Sequence, residues 1–178
     1  MEYDVSSAEP LLERTPRVLH AITSKLPPTW LDAREKAGAW STREVVFHMA
    51  DLERDAWLVR ADTFLEPGSR GVLGGVERER FRRRYADVSV DEALEDFRRL
   101  RVANLETLRS YGLGEADLHR ECRHPDFGVV RLSHLLSTWV VHDLTHLAQI
   151  SRTLAAQYHE AVGPWADFLS VLEPRDRP

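Results

Sequence analysis

The chain has 178 residues, 43% hydrophobic and 30% charged, with a formal net charge of −5. That is the balance of an ordinary globular protein, ample for one domain with a full core and short for two. No apolar run approaches the roughly 18 residues that cross a bilayer, and the acidic balance makes a nucleic-acid binder unexpected. Cys122 is the one cysteine, so no internal disulfide forms; with neither a basic nor an apolar leader segment, a cytoplasmic location is expected.

The first predicted helix runs from about Ala8 to Lys25, with Leu11, Leu12, Val18, Leu19, Ile22 and Leu26 on one face. Pro16 is expected to kink or restart it, and Pro27-Pro28 ends it. The second begins at Ser41-Thr-Arg-Glu44, a capping-box pattern in which serine and glutamate satisfy the first free N–H groups. It continues to about Leu65, before Pro67-Gly68, on the stripe Val45, Met49, Leu52, Ala56 and Val59.

A glycine-rich, charged stretch from Gly68 to about Asp87 reads as loop with some helix. Its Arg80-Phe-Arg-Arg-Arg84 run is expected to be a solvated loop or helix end, with an anion-binding patch as the alternative. The third helix spans about Val90 to Tyr111, with the stripe Leu94, Phe97, Leu100 and Leu108 interrupted by Asn104, and stops at Gly112. A loop from Gly112 to Arg131 follows, with a hairpin expected around His124-Pro-Asp-Phe-Gly128. The fourth helix, about Leu132 to Tyr158, is the most apolar; Gly163-Pro164 then opens a short helix, Trp165 to Leu172, before a charged tail. Four long amphipathic helices with almost no strand signal predict an all-α four-helix bundle, one domain over residues 1–178, with a short C-terminal helix.

His142 and His146 stand one turn apart on the fourth helix. Residues four apart share a helix face, so both imidazoles can address one metal ion. Histidine pairs at this spacing also arise by chance, so the pair alone does not make a site. His134 and His159 lie too far along the same helix to join it, at 1.5 Å of rise per residue, and His20 falls opposite its own apolar stripe and should face solvent. His48 sits on the flank of the second helix's stripe, as His142 and His146 do on theirs, and flanks of packed helices meet in a half-buried cleft. His119 and His124, on the loop, are the alternative third ligands or donors to a substrate.

Three neutral imidazoles suit Zn²⁺, and also Ni²⁺, Fe²⁺ or Cu²⁺, and with no fourth ligand close in sequence the site reads as open. Asp51 or Glu44 is expected to hold the far nitrogen of a ligand imidazole, the alternative being a solvated acidic face. Asp143 projects into the apolar stripe and must find donors; the N-terminus of the second helix or the indole N–H of Trp40 are the expected ones. Cys122 shows no activating arrangement and reads as inert.

Two stretches carry a family resemblance. They are Trp40-Ser-Thr-Arg-Glu-Val-Val-Phe-His48-Met-Ala-Asp51-Leu-Glu53 and Gly128-Val-Val-Arg-Leu-Ser-His-Leu-Leu-Ser-Thr-Trp-Val-Val-His142-Asp143-Leu-Thr-His146-Leu-Ala-Gln149-Ile. In this order, behind a leading helix, they resemble the DinB/YfiT-like superfamily over roughly Leu11 to Tyr158. The resemblance implies a four-helix bundle holding a divalent metal, often zinc or nickel, on His48, His142 and His146, and commonly a homodimer. Some members look like thiol S-transferases that use bacillithiol or mycothiol, others like maleylpyruvate isomerases.

The leading expectation is therefore a metal-dependent enzyme, of thiol S-transferase or hydrolase type, acting on a small molecule with a low-molecular-weight thiol as candidate cosubstrate. The alternative is a non-catalytic, metal-stabilised bundle that binds a ligand or partner. No residue is assigned a catalytic role beyond the metal ligands.

Overall fold

Residues 3–66, 71–75, 77 and 79–173 are described by the computed structural model. The expected stop at Pro67-Gly68 and the charged tail beyond residue 173 lie outside the described residues.

The apolar periodicity becomes four long helices: α1 (Val5–Thr23), α3 (Thr42–Asp55), α6 (Val90–Ser110) and α8 (Leu132–Ala156). Between them come α2 (Pro28–Leu31), α4 (Trp57–Leu65), α5 (Phe81–Arg84), α7 (Glu115–Leu118) and a hairpin of β1 (Glu121–His124) and β2 (Gly128–Arg131). The hairpin strands pair antiparallel from Glu121 opposite Arg131 to His124 opposite Gly128. Around the bundle, α6 and α8 each touch both α1 and α3, so α1 and α3 stand diagonally across from each other. No helix among the described residues is long and apolar enough to cross a membrane.

Local signals fix several ends. Ser41 and Ser89 each accept from the backbone N–H three residues on, while Glu44 and Glu92 reach back to the cap N–H, so α3 and α6 both open on a capping box. Gly112, at φ 57°, ends the chain's run through α6 in the left-handed region that glycine enters without strain.

Four expectations about the helices are corrected. Helix α1 runs through Pro16 without restarting. Proline lacks the N–H that would bond the carbonyl of Leu12; that carbonyl accepts instead from Arg101 Nη1 at 2.8 Å, a donor supplied from α6. The second predicted helix is two helices, broken at Ala56 (φ −120°, ψ −55°). There the Asn104 side-chain amide donates to the Glu53 carbonyl at 2.7 Å, and a side chain inserted into the helical ladder is a known cause of such breaks. The expected short C-terminal helix is a pair of 3₁₀ segments, Gly163–Phe168 and Ser170–Leu172. Leu11, Val18 and Val59 were placed on buried stripes by periodicity but are exposed, because Thr15, Thr23 and Ala61 take the inward positions.

The buried apolar side chains form two clusters. One gathers Leu12, Leu52, Trp57, Leu136 and Trp139; the other gathers Leu19, Val46, Phe47, Phe97 and Ile150. Arg101 lies between them, its guanidinium 4.8 Å from the Phe97 ring centre and 5.2 Å from that of Trp139. A buried charge in that position demands partners. It finds Glu53 (Nε–Oε1 2.9 Å) and Asp143 (Nη1–Oδ2 2.6 Å), while the Trp139 indole N–H donates to Glu53 Oε2 at 3.2 Å. Asp143 thus takes its donors from Arg101, not from the start of the second helix or from Trp40: the partner comes from α6, whose packing position sequence spacing does not reveal.

Candidate metal centre

Helix α3 presents His48 and helix α8 presents His142 and His146 toward one point. The Nε2 atoms of His48 and His142 are 3.2 Å apart, those of His142 and His146 3.1 Å, and all three histidines offer ring nitrogens within 4.8 Å of one another. His48 and His146 are buried and His142 is half-buried. The spacing of four on α8 puts two of these rings on one face; the third comes from the α3–α8 packing.

Aromatic neighbours hold the rings. The Trp40 indole lies 4.6 Å from the His48 ring and stacks on His146 at 6.2 Å, and Trp57 meets His142 edge-on at 5.1 Å. The Gln149 side-chain oxygen accepts from His146 Nδ1 at 2.8 Å. This bond puts the proton of a neutral ring on Nδ1 and leaves Nε2 as a lone pair aimed at the other imidazoles. Burial, then the neighbouring His146 and His48 and the Arg101 charge, push His142 down to about 2, so its ring is neutral.

Two nitrogens bound to one ion at about 2.0–2.1 Å stand roughly 3–3.4 Å apart, and the two close separations found fall in that interval. Ring nitrogens facing the uncharged His142 ring so closely need a proton or a cation between them. A divalent metal with an affinity for imidazole fits this donor set. The cluster opens on a cavity of ≈ 730 Å³ whose apolar lining includes Leu52, Ala56, Trp57, Leu73, Val130 and Leu135.

The remaining candidates fall away from the cluster. His20, His119 and His159 are exposed. His124 and His134 line the same cavity without joining the three. The carboxylates expected to steady a ligand imidazole are committed elsewhere. Asp51 is held by Arg80 (3.0 Å) and Arg84 (2.6 Å), and Glu44 by the Ser41 N–H, Arg34 and Arg82. The steadying contact on His146 comes instead from Gln149, and an amide three residues along the helix was the signal that sequence reading passed over. The same pairs account for the arginine run: Arg80 and Arg84 reach Asp51 and Asp55, and Arg83 reaches Glu77. It is a set of intramolecular ion pairs and not an anion patch.

Cys122 is buried, its thiol 3.6 Å from the Thr63 carbonyl, and burial raises its pKa. It packs against Gly71, where any Cβ would stand 2.5 Å from the Thr63 methyl group and 3.3 Å from the Cys122 sulfur. Glycine is needed there because the 71–73 segment is bonded through Arg123 to the hairpin that forms the cavity wall.

Fold and cluster together define a class: helical-bundle proteins with a three-histidine site open to a cavity. Residues 11–150 match the DinB superfamily, and the chain belongs to that family. It is similar, at 23% identity over 141 residues (79% of this chain and 80% of the relative), to an Oceanobacillus iheyensis protein named "Putative metal-dependent hydrolase OB0782". Its fold is that of YfiT from Bacillus subtilis, described as a probable metal-dependent hydrolase with an unusual four-helix bundle topology. The TM-score is 0.74 at 20% identity, over 88% of this chain and 94% of that one.

Proposed function

We propose that this chain is a metal-dependent hydrolase in which His48, His142 and His146 hold one divalent ion, zinc or nickel ahead of iron. The observation that carries the reading is the approach of three imidazole nitrogens, on two rigid helices, at the inner wall of a cavity of small-molecule size. The relatives' names favour hydrolysis, and an all-imidazole donor set favours the later first-row divalent ions.

A divalent ion bound there supplies Lewis-acid activation of water and of a polarisable substrate oxygen. The chain's own residues do the rest. Gln149 fixes the His146 tautomer, Trp40 and Trp57 hold ring orientation, and the apolar wall formed by Leu52, Ala56 and Leu135 thins the water around the reacting end. Replacing His146 with alanine should drop bound metal, measured by elemental analysis of the purified chain, from one ion per chain to background. Unchanged stoichiometry ends the proposal.

Thiol transfer at the same centre is the second reading, and one feature favours it. Among the described residues the cavity lining includes a single carboxylate, the exposed Asp126, so the lining offers no buried carboxylate to serve as general base. A thiol, acidic enough to ionise beside a metal cation, has less need of one than water does. Product analysis separates the two: an activated ester incubated with the zinc-loaded chain and a small thiol yields the free acid by one route and the thioester by the other.

A further inference from the structure

The cavity has two ends of opposite hydrogen-bonding character. On one wall His48, Leu52, Ala56 and Arg60 line it at four-residue steps along α3 and α4; on the facing wall His146, His142, Thr138 and His134 do so along α8 in the reverse direction. Both walls therefore run from the histidine cluster outward. By helical rise, His134 lies about 12 Å from His142, and Arg60 stands on α4, beyond the break at Ala56. His124, on β1, lines the cavity as well.

At the inner end His146 turns its Nε2 lone pair toward the other rings. At the outer end the polar groups donate. The Asp126 backbone N–H donates to His124 Nδ1 at 3.1 Å, and the Arg131 backbone N–H donates to His134 Nδ1 at 3.3 Å. An imidazole whose Nδ1 accepts carries its neutral-form proton on Nε2, so both rings are donors there. Arg60 is half-buried between the cavity and the 71–75 segment. Its hydrogen bond goes from Nη2 to the Gly74 carbonyl at 2.7 Å, and it makes no ion pair among the described residues, although most arginines of this chain do. Burial without a counter-ion disfavours its charge. Arg60 supplies one positive charge and the two rings add Nε2–H donors, a complement to a ligand group with a single negative charge; the Asp126 carboxylate stands exposed at the rim.

We propose that the outer end of this cavity is a carboxylate-binding subsite, Arg60 its charged contact and the Nε2–H groups of His124 and His134 its further donors. The substrate class is then an elongated monocarboxylate with an apolar middle, whose reacting bond reaches the inner histidines. The assignment rests on reading those histidines as the reacting end, but it concerns different residues and is measured separately.

Calorimetric titration of the full chain, with and without added zinc, tests it with octanoate, 1-octanol and octyl phosphate as probes. Octanoate is expected to bind about tenfold or more tightly than 1-octanol, as a charge-assisted contact should provide, and to do so whether or not zinc is present. Arg60→Gln should remove most of that advantage and leave 1-octanol unchanged, while Arg60→Lys keeps part of it. The subsite is overturned by an advantage that survives Arg60→Gln, or by a loss that falls equally on acid and alcohol, which would mean that Arg60 only braces the 71–75 segment. Octanoate binding that is absent, or that requires zinc, overturns it too, and tighter binding of octyl phosphate overturns the single-charge assignment. Failure of the metal reading appears elsewhere, in the metal content of the His146→Ala chain.

Discussion

Two polar clusters meet at adjacent residues of α8, and they are built on opposite plans. Asp143 turns into the bundle and joins Arg101 and Glu53, where the guanidinium, both carboxylates, the Trp139 indole, the Asn104 amide and the Leu12 carbonyl engage one another within 3.2 Å. His142, one residue earlier, faces the cavity and meets two other imidazoles that offer it no counter-charge. The first cluster is closed: every strong donor is used inside the protein. The second converges at the wall of a cavity. A buried polar group with all its partners present holds architecture, whereas imidazoles that converge from two rigid helices beside a cavity are arranged as a ligand site is.

Breaking the closed cluster should have the largest effect. Arg101→Met strands two buried carboxylates and should lower unfolding free energy by about 3–5 kcal/mol, read from urea denaturation. Burial already pushes the Glu53 carboxyl up, against the pull of Arg101, so this cluster has no spare stabilisation to absorb the loss. A loss under about 1 kcal/mol would show that the cluster relaxes or hydrates, because surface pairs have that magnitude.

The open cluster should respond to metal instead. Zinc at a hundred to a thousand times its dissociation constant should stabilise the unaltered chain by about 2.7–4.1 kcal/mol and leave a His48→Ala chain unmoved. Equal stabilisation of both would place the ion elsewhere.

Acid sharpens the contrast further. His142 is held far below an unfolded histidine's value near 6.5. Below that pH the unfolded chain takes up a proton that the folded ring refuses. Stability of the metal-free protein is thus complete above about pH 6.5 and falls as pH drops below it, with a slope of up to about 1.4 kcal/mol per pH unit from this one group. In the His142→Leu chain that part of the slope should disappear, and the metal-free protein should become about as stable as the unaltered one or more so. A pH profile unchanged by the substitution would contradict the neutral, desolvated ring.

The smallest effect is expected at Cys122. Its alanine variant should lose about 1–2 kcal/mol of stability, as for a small buried side chain, and retain its metal content. Loss of metal with stability intact would give the thiol a role that its burial and its Thr63 contact do not support.

The four long helices and two of the three clustered histidines are legible from local signals alone. Capping serines at 41 and 89, the glycine at 112 and the 3.6-residue rhythm of apolar side chains act over a few residues, so they can be read without knowing what packs where. The pair His142 and His146 is legible for the same reason, since one helical turn joins them. Tertiary structure decided everything that crosses between helices. Nothing local tells that α6 brings Arg101 to Asp143, or that its guanidinium takes the Leu12 carbonyl left without a donor by Pro16, within a helix that continues past the proline. The Asn104 amide that breaks the second predicted helix at Ala56 also comes from α6, 51 residues along the chain. His48 joins the pair, and His119 and His124 do not, through the register of α3 against α8. A side chain's local reach is a few ångströms along its own helix, and only packing chooses which neighbour stands within it.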